Sequence, residues 1–553
     1  MKKLVSKTIL VALIAASFLL TTHATAAGPT VTIVTGPKMH PLEQLAVEEV
    51  STQLKELFGA KVSVADSFKI GGNVVLIGNP DSNPKIAGLS GVKWPKLSAQ
   101  GHLIKSVKSA SGTVLVVGGG SPVATYWAAV ELGHHFGVRR LLHGDFPPLK
   151  KPAFSLAGIN VRLEPNIKTR AWRTLGDSPA SQVSWSLEEH RVRLRQLAKL
   201  KFNHIILPLK SSQPFFAGNK SGKLWPDPEL RVDGETAGRA AFGEDRVFNN
   251  PDFKSGTGSE AGIRLVRGII TEARRLGMKT TITGAGSKAN VAAYRKTYPK
   301  ADLISRSSDL TLIQIGNLDG NVLPQFDLNQ VRAAISGLRR SKGNGFAVAC
   351  QLPDDLNTSV YYLSRAGFDA EMTPVKAVQG LVNPICGDGV GARIAIGFDH
   401  LAKASALVDR HDPTIATPCA DVIMRHYANS EPVPEWWAEA KSGFIMAMNE
   451  MYRANTRARG GARAFSLYLA KRFEFALHYF TCLESIRAAG IARAAKDKDG
   501  QLENLDKAVE AMHNALGAMA DVDRNNGDRG VIAVLNEYAF RPLSKELERV
   551  DQQ

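Results

Sequence analysis

Cysteine is scarce in this sequence of 553 residues, which contains only four. A scaffold held together by many disulfides is therefore excluded. The four cysteines stand at Cys350, Cys386, Cys419 and Cys482, with no C-x-x-C spacing that would indicate a zinc site or a redox centre. The first 349 residues cannot be cross-linked internally. One or two disulfides among the four cysteines are compatible with these spacings.

Long hydrophobic runs are also scarce, and the longest lies at the N-terminus, from Ile9 to Leu20. Three lysines precede it, and the small-residue pattern Ala-Thr-Ala follows it and ends at Ala26. This succession predicts a secretory signal peptide over residues 1–26, with an uncleaved anchor as the alternative. The run is shorter than the roughly 20 residues that span a bilayer. No transmembrane segment is expected, and the mature chain is predicted to be periplasmic or extracellular.

Acidic residues are too few to balance the basic ones, with 52 Asp and Glu against 69 Lys and Arg. The formal net charge is +17, and removing a signal peptide with three lysines leaves +14. In an exported protein this charge favours an anionic polysaccharide as partner, or else it is a solubilising surface without a specific partner. No nucleic-acid recognition motif is present, so nucleic acid is not expected. The hydrophobic content of 44% is that of a globular protein and excludes disorder.

Residues 27–150 have the pattern of a small α/β domain. Short apolar runs at Val31–Val34, Val74–Ile77 and Val114–Val117 predict strands, and Leu42–Leu57 has helical periodicity. Three glycines at 118–120 connect a strand to a helix. The full G-x-G-x-x-G pattern is absent, so a tight turn is favoured over a phosphate site, and no cofactor is expected.

Residues 151–360 alternate strands with helices, which predicts a parallel (β/α)8-type barrel. About six strands can be recognised, so closure at eight is an inference. A long polar stretch, Lys210–Gly258, interrupts the alternation, and loops of this length are uncommon unless they serve a function. Residues 361–553 contain successive amphipathic helices and predict a helical C-terminal domain packed behind the barrel. Within it, the stretch from Asp528 to Tyr538 has polar residues at its two ends, Asp528-Arg529 and Asn536-Glu537.

Three stretches resemble a known group of enzymes. Residues 101–148, including Gly137-Val138-Arg139-Arg140 and Asp145-Phe146-Pro147-Pro148, resemble the N-terminal domain that alpha-glucuronidases share with beta-N-acetylhexosaminidases. The stretch Leu197–His204 is similar to the first helix and second strand of a hexosaminidase-type barrel. Tyr361–Ala366, with Thr373-Pro374, is similar to the entry to the helical domain of glucuronidase-like proteins. The resemblance implies a non-catalytic domain of the hexosaminidase domain-2 type, a TIM-type catalytic barrel and a helical C-terminal domain.

The activity implied by this resemblance is hydrolysis of a polysaccharide or oligosaccharide that contains uronic acids or amino sugars. This sequence departs from the family pattern at one place, and the departure gives a second hypothesis for the function. Hexosaminidase-type enzymes carry an adjacent Asp-Glu pair after the fourth barrel strand, but residues 310–326 contain no such pair, and Asp319 stands alone. A catalytically inactive carbohydrate-binding or scaffold protein on the same architecture is therefore the second hypothesis.

Three aspartates are the catalytic candidates. Asp319, Asp354 and Asp355 each follow an apolar run, as do catalytic residues at the C-terminal face of a barrel. Glycosidases require two carboxyl groups, and two adjacent carboxylates can keep one of them protonated near neutral pH. The alternatives are a turn residue at Asp319 and a helix cap at Asp354 or Asp355.

Four further residues are candidates for binding substrate. Trp172 can stack on a sugar and Arg173 can pair with a carboxylate, unless both are buried in the barrel wall. Asp177 follows the first barrel strand and is either a ligand to substrate or a turn residue. His204 lies within an apolar strand, where a buried structural histidine is the alternative to a ligand. No metal ligands and no cofactor are predicted.

Overall fold

The computed structural model describes residues 28–67, 72–89, 93–109, 112–176, 182–217, 219, 222, 229–254, 256–306, 313–315, 322–350, 352–415 and 422–553. The predicted signal peptide, together with Asp177, Asp319 and Cys419, lies outside these residues. Cys350, Cys386 and Cys482 are free thiols. No described helix is long and apolar enough to cross a membrane.

The N-terminal region is a six-stranded sheet in the order β2-β1-β3-β5-β4-β8. Strands β2, β1, β3 and β5 are parallel, and β4 runs antiparallel to both β5 and β8. Val31, Ile33 and Leu115 are fully buried beneath the two longer helices, α1 and α3. The elements are β1 Thr30–Val34, α1 Pro41–Phe58, β2 Lys61–Ala65, β3 Asn73–Ile77, α2 Pro84–Ala87, β4 His102–Ser109, β5 Gly112–Gly119, α3 Pro122–His135, β6 Arg139–Leu141, β7 Gly144–Phe146 and β8 Asn160–Leu163.

The triple glycine ends strand β5 and leads, through Gly120 and Ser121, into helix α3. A Cβ atom on Gly118 would lie 1.9 Å from the carbonyl oxygen of Gly78, and one on Gly120 would lie 2.1 Å from that of Ser98. Close backbone packing therefore requires glycine at both positions. Ser121 then caps the helix by accepting a hydrogen bond from the Ala124 amide.

The middle region contains six parallel strands in the order β14-β13-β10-β9-β16-β15. Strand β9 pairs with β10, β10 pairs with β13, and β13 pairs with β14. On its other edge β9 pairs with β16, which pairs with β15. The described strands form an open sheet whose order matches that of a parallel barrel. Among the described residues, only the junction between β14 and β15 has no ladder. The elements are β9 Thr169–Arg173, α4 Leu187–Lys199, β10 His204–Pro208, β11 Leu230–Arg231, β12 Val247–Phe248, α5 Glu260–Arg275, β13 Lys279–Thr283, α6 Lys288–Thr297, β14 Leu303–Ile304, β15 Ile313–Ile315, α7 Leu328–Arg340 and β16 Gly345–Val348.

The lumen of this strand array is identified by three small or medium side chains that contact one another: Ala171, Ile206 and Ala347. Alternate residues of a strand point to the same face. On β9, Thr169 therefore faces the lumen at its N-terminal end and Arg173 faces it at the C-terminal end. Trp172 belongs to the opposite face, which packs outward.

The C-terminal region is helical, as predicted, and its long helix α13 runs through the centre of the bundle. Phe473, Phe480 and Leu483 on this helix are fully buried. The described part of the long polar stretch contributes the β11–β12 hairpin and is tied to the bundle, where Asn536 Nδ2 donates to the carbonyl oxygen of Ala237 at 2.6 Å. The helices are α8 Asn357–Ala366, α9 Pro374–Cys386, α10 Val390–His411, α11 Val422–Ala428, α12 Glu435–Arg457, α13 Arg463–Ala494, α14 Lys498–Ala520, α15 Asn526–Leu535 and α16 Arg541–Asp551.

A buried ion-pair cluster joins the three regions below the strands. Glu131, on α3 of the N-terminal region, accepts from Lys201 Nζ at 2.5 Å. The same carboxylate accepts from Arg365 Nη1, on α8, at 2.8 and 2.9 Å. Both cations hold the pKa of Glu131 well below its usual range against the opposing effect of burial. These ion pairs thus attach the N-terminal region to both the strand array and the helical C-terminal region.

Helix α4 begins with a capping box, and losing it is expected to lower the stability of the protein. Ser186 Oγ accepts from the Glu189 amide at 3.2 Å, and the Glu189 carboxylate accepts from the Ser186 amide at 2.7 Å. Ser186→Ala is expected to lower the free energy of unfolding by about 1 kcal/mol because one helix N-terminal amide loses its partner. Thermal denaturation of Ser186→Ala and Ser186→Thr measures this, and threonine should retain most of the stability. Equal losses in both variants would contradict a capping role.

Candidate active site

Active sites of parallel barrels form at the C-terminal ends of their strands. Arg173 lies at that end of β9, on the lumen face, and is half-buried. Burial lowers the pKa of its guanidinium from the usual value. A guanidinium in this position matches the geometry of a carboxylate and can pair with it in a bidentate manner. Two of the predicted residues that follow barrel strands, Asp177 and Asp319, lie outside the described residues.

Trp172 does not open onto this mouth. Its ring is fully buried on the outer face of β9, and its Nε1 donates to Gln182 Oε1 at 3.1 Å. Gln182 Nε2 in turn donates to the carbonyl oxygen of Cys350 at 3.1 Å. Trp172 thereby links the chain that follows β9 to the chain that follows β16. In this structure the ring is part of the wall and presents no face for a sugar.

His204 lies at the N-terminal end of β10, at the opposite end of the lumen from the mouth. Its Nε2 is 2.7 Å from Thr281 Oγ1 on the neighbouring strand β13. Burial and the charge of Lys279 lower the pKa of the imidazole. His204 is therefore a neutral hydrogen-bonding residue remote from the expected catalytic face.

Asp354 and Asp355 follow β16 in a short 3-10 turn, Pro353–Leu356, and both are buried. Asp354 Oδ1 accepts from Arg193 Nη1, on α4, at 2.8 Å. Asp355 accepts from Arg472 Nε and Nη2, on α13, at 2.8 Å each. Neither carboxylate caps α8, whose N-terminus has no side-chain hydrogen bond. Both side chains instead join the end of the strand array to helices of two different layers.

A third carboxylate belongs to the same cluster and was not among the predicted site residues. Asn525 Nδ2 donates to Asp354 Oδ2 at 3.0 Å and lies 3.5 Å from Asp528 Oδ2. Asp528 also accepts from the Arg524 amide at 2.9 Å, and its other oxygen is 3.4 Å from Tyr468 Oη. The polar residues at the start of the stretch 528–538 are the only sequence signal for this contact. The polar segment returns to the end of β16 because the loop between α14 and α15 packs there.

The pKa values of Asp354 and Asp528 are shifted in opposite directions. Burial opposes ionisation of Asp354, but Arg193 and His143 outweigh it and hold its pKa well below the usual range. An adjacent pair that keeps a proton at Asp354 is therefore the wrong description of this position. No arginine side chain among the described residues forms an ion pair with Asp528, although the charge of Arg472 acts on it from a distance. Burial, with the negative charge of Asp354, raises the pKa of Asp528 to about 7.

The raised pKa of Asp528 makes stability depend on pH. Above the ordinary pKa of an aspartate, about 3.9, the unfolded chain loses this proton while the folded chain keeps it until about pH 7. The contribution of Asp528 to stability is thus complete below about pH 3.9 and is lost progressively as the pH rises to about 7, by at most about 1.4 kcal/mol per pH unit. Asp528→Asn removes this titration and is expected to have a Tm advantage over the parent that widens from pH 5 to pH 7 and then levels off. A difference in Tm that stays constant with pH would contradict a protonated Asp528.

No group of three or more metal-ligating side chains occurs among the residues that the structure describes. The polar groups beside the mouth are thus carboxylates, arginines, amides and a tyrosine. Such groups can transfer protons and can pair with acidic sugars.

No protein-family model matches this sequence, and no curated protein matches it. Solved structures do match. A GH138 enzyme targeting the pectin rhamnogalacturonan II aligns over 95% of this chain and 99% of that chain, with 11% sequence identity and a TM-score of 0.50. A GH115 4-O-methyl-alpha-glucuronidase with specificity for decorated arabinogalactans aligns over 89% of this chain and 78% of that chain, with 11% identity and a TM-score of 0.53.

These likenesses establish the class of fold. The chain has the architecture of multidomain glycoside hydrolases, which confirms the predicted α/β organisation with a helical C-terminal region. One of the two structures is an alpha-glucuronidase, so the resemblance predicted from the sequence is also found in the fold. At 11% identity the likeness extends to the fold and not to individual catalytic residues.

Proposed function

We propose that this protein is an exported glycoside hydrolase that acts on a polysaccharide or oligosaccharide containing uronic acids or amino sugars. The observation that carries the proposal is the match of nearly the whole chain to the fold of an enzyme that targets pectin. Arg173, on the lumen face at the mouth, supports an acidic sugar as the bound unit because guanidinium and carboxylate geometries match. The net positive charge agrees with an anionic polymer.

Two carboxyl groups about 5 to 9.5 Å apart are needed for glycoside hydrolysis. Asp354 and Asp355 are both engaged by arginines in the buried cluster, so they suit positioning better than proton transfer. Asp319 and Asp177, which both follow strands of the array, are the carboxyls that we assign to the reaction. Asp319 is the candidate for the acid or base, and Asp177 is the candidate for the second carboxyl group.

The direct test is a substrate screen of the purified protein that starts at residue 27. Aryl α-glucuronides, aryl N-acetylglucosaminides and oligosaccharides of galacturonic and glucuronic acid are incubated with the protein, and released sugars are quantified by chromatography. We expect release from at least one uronic acid substrate, and Arg173→Gln should raise its KM because the carboxylate loses its partner. Release from neutral substrates alone would contradict the acidic-sugar assignment.

A binding protein without hydrolytic activity is the second candidate. Two observations favour it: the missing Asp-Glu pair in residues 310–326, and the arginine partners of Asp354 and Asp355. Binding of uronic acid oligosaccharides without any release of product would support this function over hydrolysis.

Export is the remaining part of the proposal, and it is based on the charged, apolar and small-residue succession in residues 1–26. Mass spectrometry of the protein recovered from the periplasm or medium should show an N-terminus at residue 27. Recovery of the intact N-terminus in that fraction would refute cleavage.

A further inference from the structure

A cavity of about 800 Å³ opens at the N-terminal end of the strand array, opposite to the mouth. Its walls come from the first residues of β9, β10, β13 and β14 and from the turn before β16. The lumen above it holds Ala171, Ile206 and Ala347, which lie between Thr169 at the cavity and Arg173 at the mouth. The cavity and the mouth are therefore separate sites at the two ends of one lumen.

The charge of the cavity wall is predominantly positive. Lys168, Lys279, Lys342 and Arg339 line it, together with a single carboxylate, Asp302. Among the described residues, none of the three lysines has an acidic side chain within ion-pairing distance. Three unneutralised ammonium groups around one concavity produce a positive potential that the low-dielectric walls strengthen.

Asp302 offsets only part of this potential, because its carboxylate is shared with Arg274. One oxygen accepts from Arg274 Nη1 at 2.6 Å, and the other accepts from the Thr280 amide and hydroxyl at 2.8 and 2.9 Å. Arg339 also keeps its positive charge, since its donors go to an asparagine side chain and to backbone carbonyls, the closest being that of Ala366 at 2.6 Å. His204 also lines the cavity, and burial together with the charge of Lys279 lowers the pKa of its imidazole against the smaller opposing effect of Asp302.

The cavity is much larger than a simple inorganic anion and has the size of pockets that hold small organic ligands. Its wall also offers groups that can bind hydroxyls, including Thr169 and Asn166, and apolar surface from Ile167 and Leu338. A ligand that satisfies both features carries acid groups on a polyhydroxylated, partly apolar framework. We propose that this cavity is a second, non-catalytic binding site for a short acidic saccharide, with Lys168, Lys279 and Lys342 pairing with its acid groups.

The test uses isothermal titration calorimetry of the mature protein with three probes. Trigalacturonate carries both acid groups and hydroxyls, galactotriose carries hydroxyls alone, and inorganic phosphate carries charge alone. We expect trigalacturonate to bind most tightly, with an affinity that falls as ionic strength rises. The oligosaccharide is recovered afterwards and checked for cleavage, so binding here is distinguished from turnover at the mouth.

Two charge-matched triple variants assign the site. Changing Lys168, Lys279 and Lys342 together to glutamine is expected to weaken trigalacturonate binding about tenfold or more. The same change at Lys61, Lys108 and Lys545, which are exposed like the three cavity lysines but do not line the cavity, should leave the affinity unchanged. Equal affinity in both triple variants would overturn the proposal, even if hydrolysis at the mouth is confirmed. Phosphate binding as tightly as trigalacturonate would overturn the saccharide assignment.

Discussion

Replacing Asp319 with asparagine is expected to lower turnover by about 10² to 10⁴-fold on whichever uronic acid substrate the protein cleaves, because removal of a general acid or base has this effect. Asparagine is similar in size to aspartate but neither gives nor takes a proton at neutral pH. The fall should appear in kcat as well as in kcat/KM, since proton transfer takes place in the transition state. Initial rates measured alongside Tm separate lost chemistry from lost folding.

A matched control is available eight residues further along the chain. Asp327 caps helix α7, where its Oδ1 accepts from the Asn329 amide at 2.7 Å. Asparagine caps helices about as well as aspartate, so Asp327→Asn should keep both turnover and Tm. Turnover that survives in Asp319→Asn would remove this residue from the reaction and favour the binding protein.

The second large effect is expected from Arg472→Met. Arg472 is fully buried and holds Asp355 through two hydrogen bonds of 2.8 Å, while its Nη2 also donates to the carbonyl oxygen of Val322. Methionine leaves the Asp355 carboxylate buried without a counter-charge, which costs about 3–5 kcal/mol of unfolding free energy. The measurement is the urea midpoint and the Tm of parent and variant.

Two further variants isolate the ion pair from the loss of packing. Asp355→Asn in the Arg472→Met background removes the stranded charge, so the double variant should be more stable than Arg472→Met alone. Lys507→Ala breaks an exposed pair with Glu503 on α14 and should change stability by about 0.5 kcal/mol or less. A double variant no more stable than Arg472→Met would show that packing, not charge, accounts for the loss.

The class of fold was predictable because its signals are local. Strands such as Val74–Ile77 and His204–Pro208 are short apolar runs bounded by turn residues, and the amphipathic helices beyond residue 361 have clear periodicity. The number of strands was less certain. Strand β14, Leu303–Ile304, has only two residues and owes its pairing with β13 to tertiary contact. Two residues carry too little pattern to be recognised in the sequence.

The environment of the candidate residues was much harder to predict, because it depends on partners distant in the sequence. The sequence pattern predicts either an acid pair or helix caps at Asp354 and Asp355. The structure shows them held by Arg193, 161 residues earlier, and by Arg472, 117 residues later. Asp528, whose pKa is raised to about 7, gave no signal beyond the polarity of its segment. Trp172 and Arg173 are adjacent in sequence, yet the period of two in a strand sends them to opposite faces.

The buried cluster behind β16 has a consequence for how this architecture can be inherited and engineered. Its carboxylates come from the end of the strand array, whereas Arg472 and Asn525 come from the helical region. Glu131 is bound in the same way by cations from two other parts of the chain. A fragment that ends at residue 360 would expose apolar surface and would leave the carboxylate of Asp355 without its cation. The regions are therefore not interchangeable modules, and recombination between relatives should succeed only where both halves of each ion pair are exchanged together.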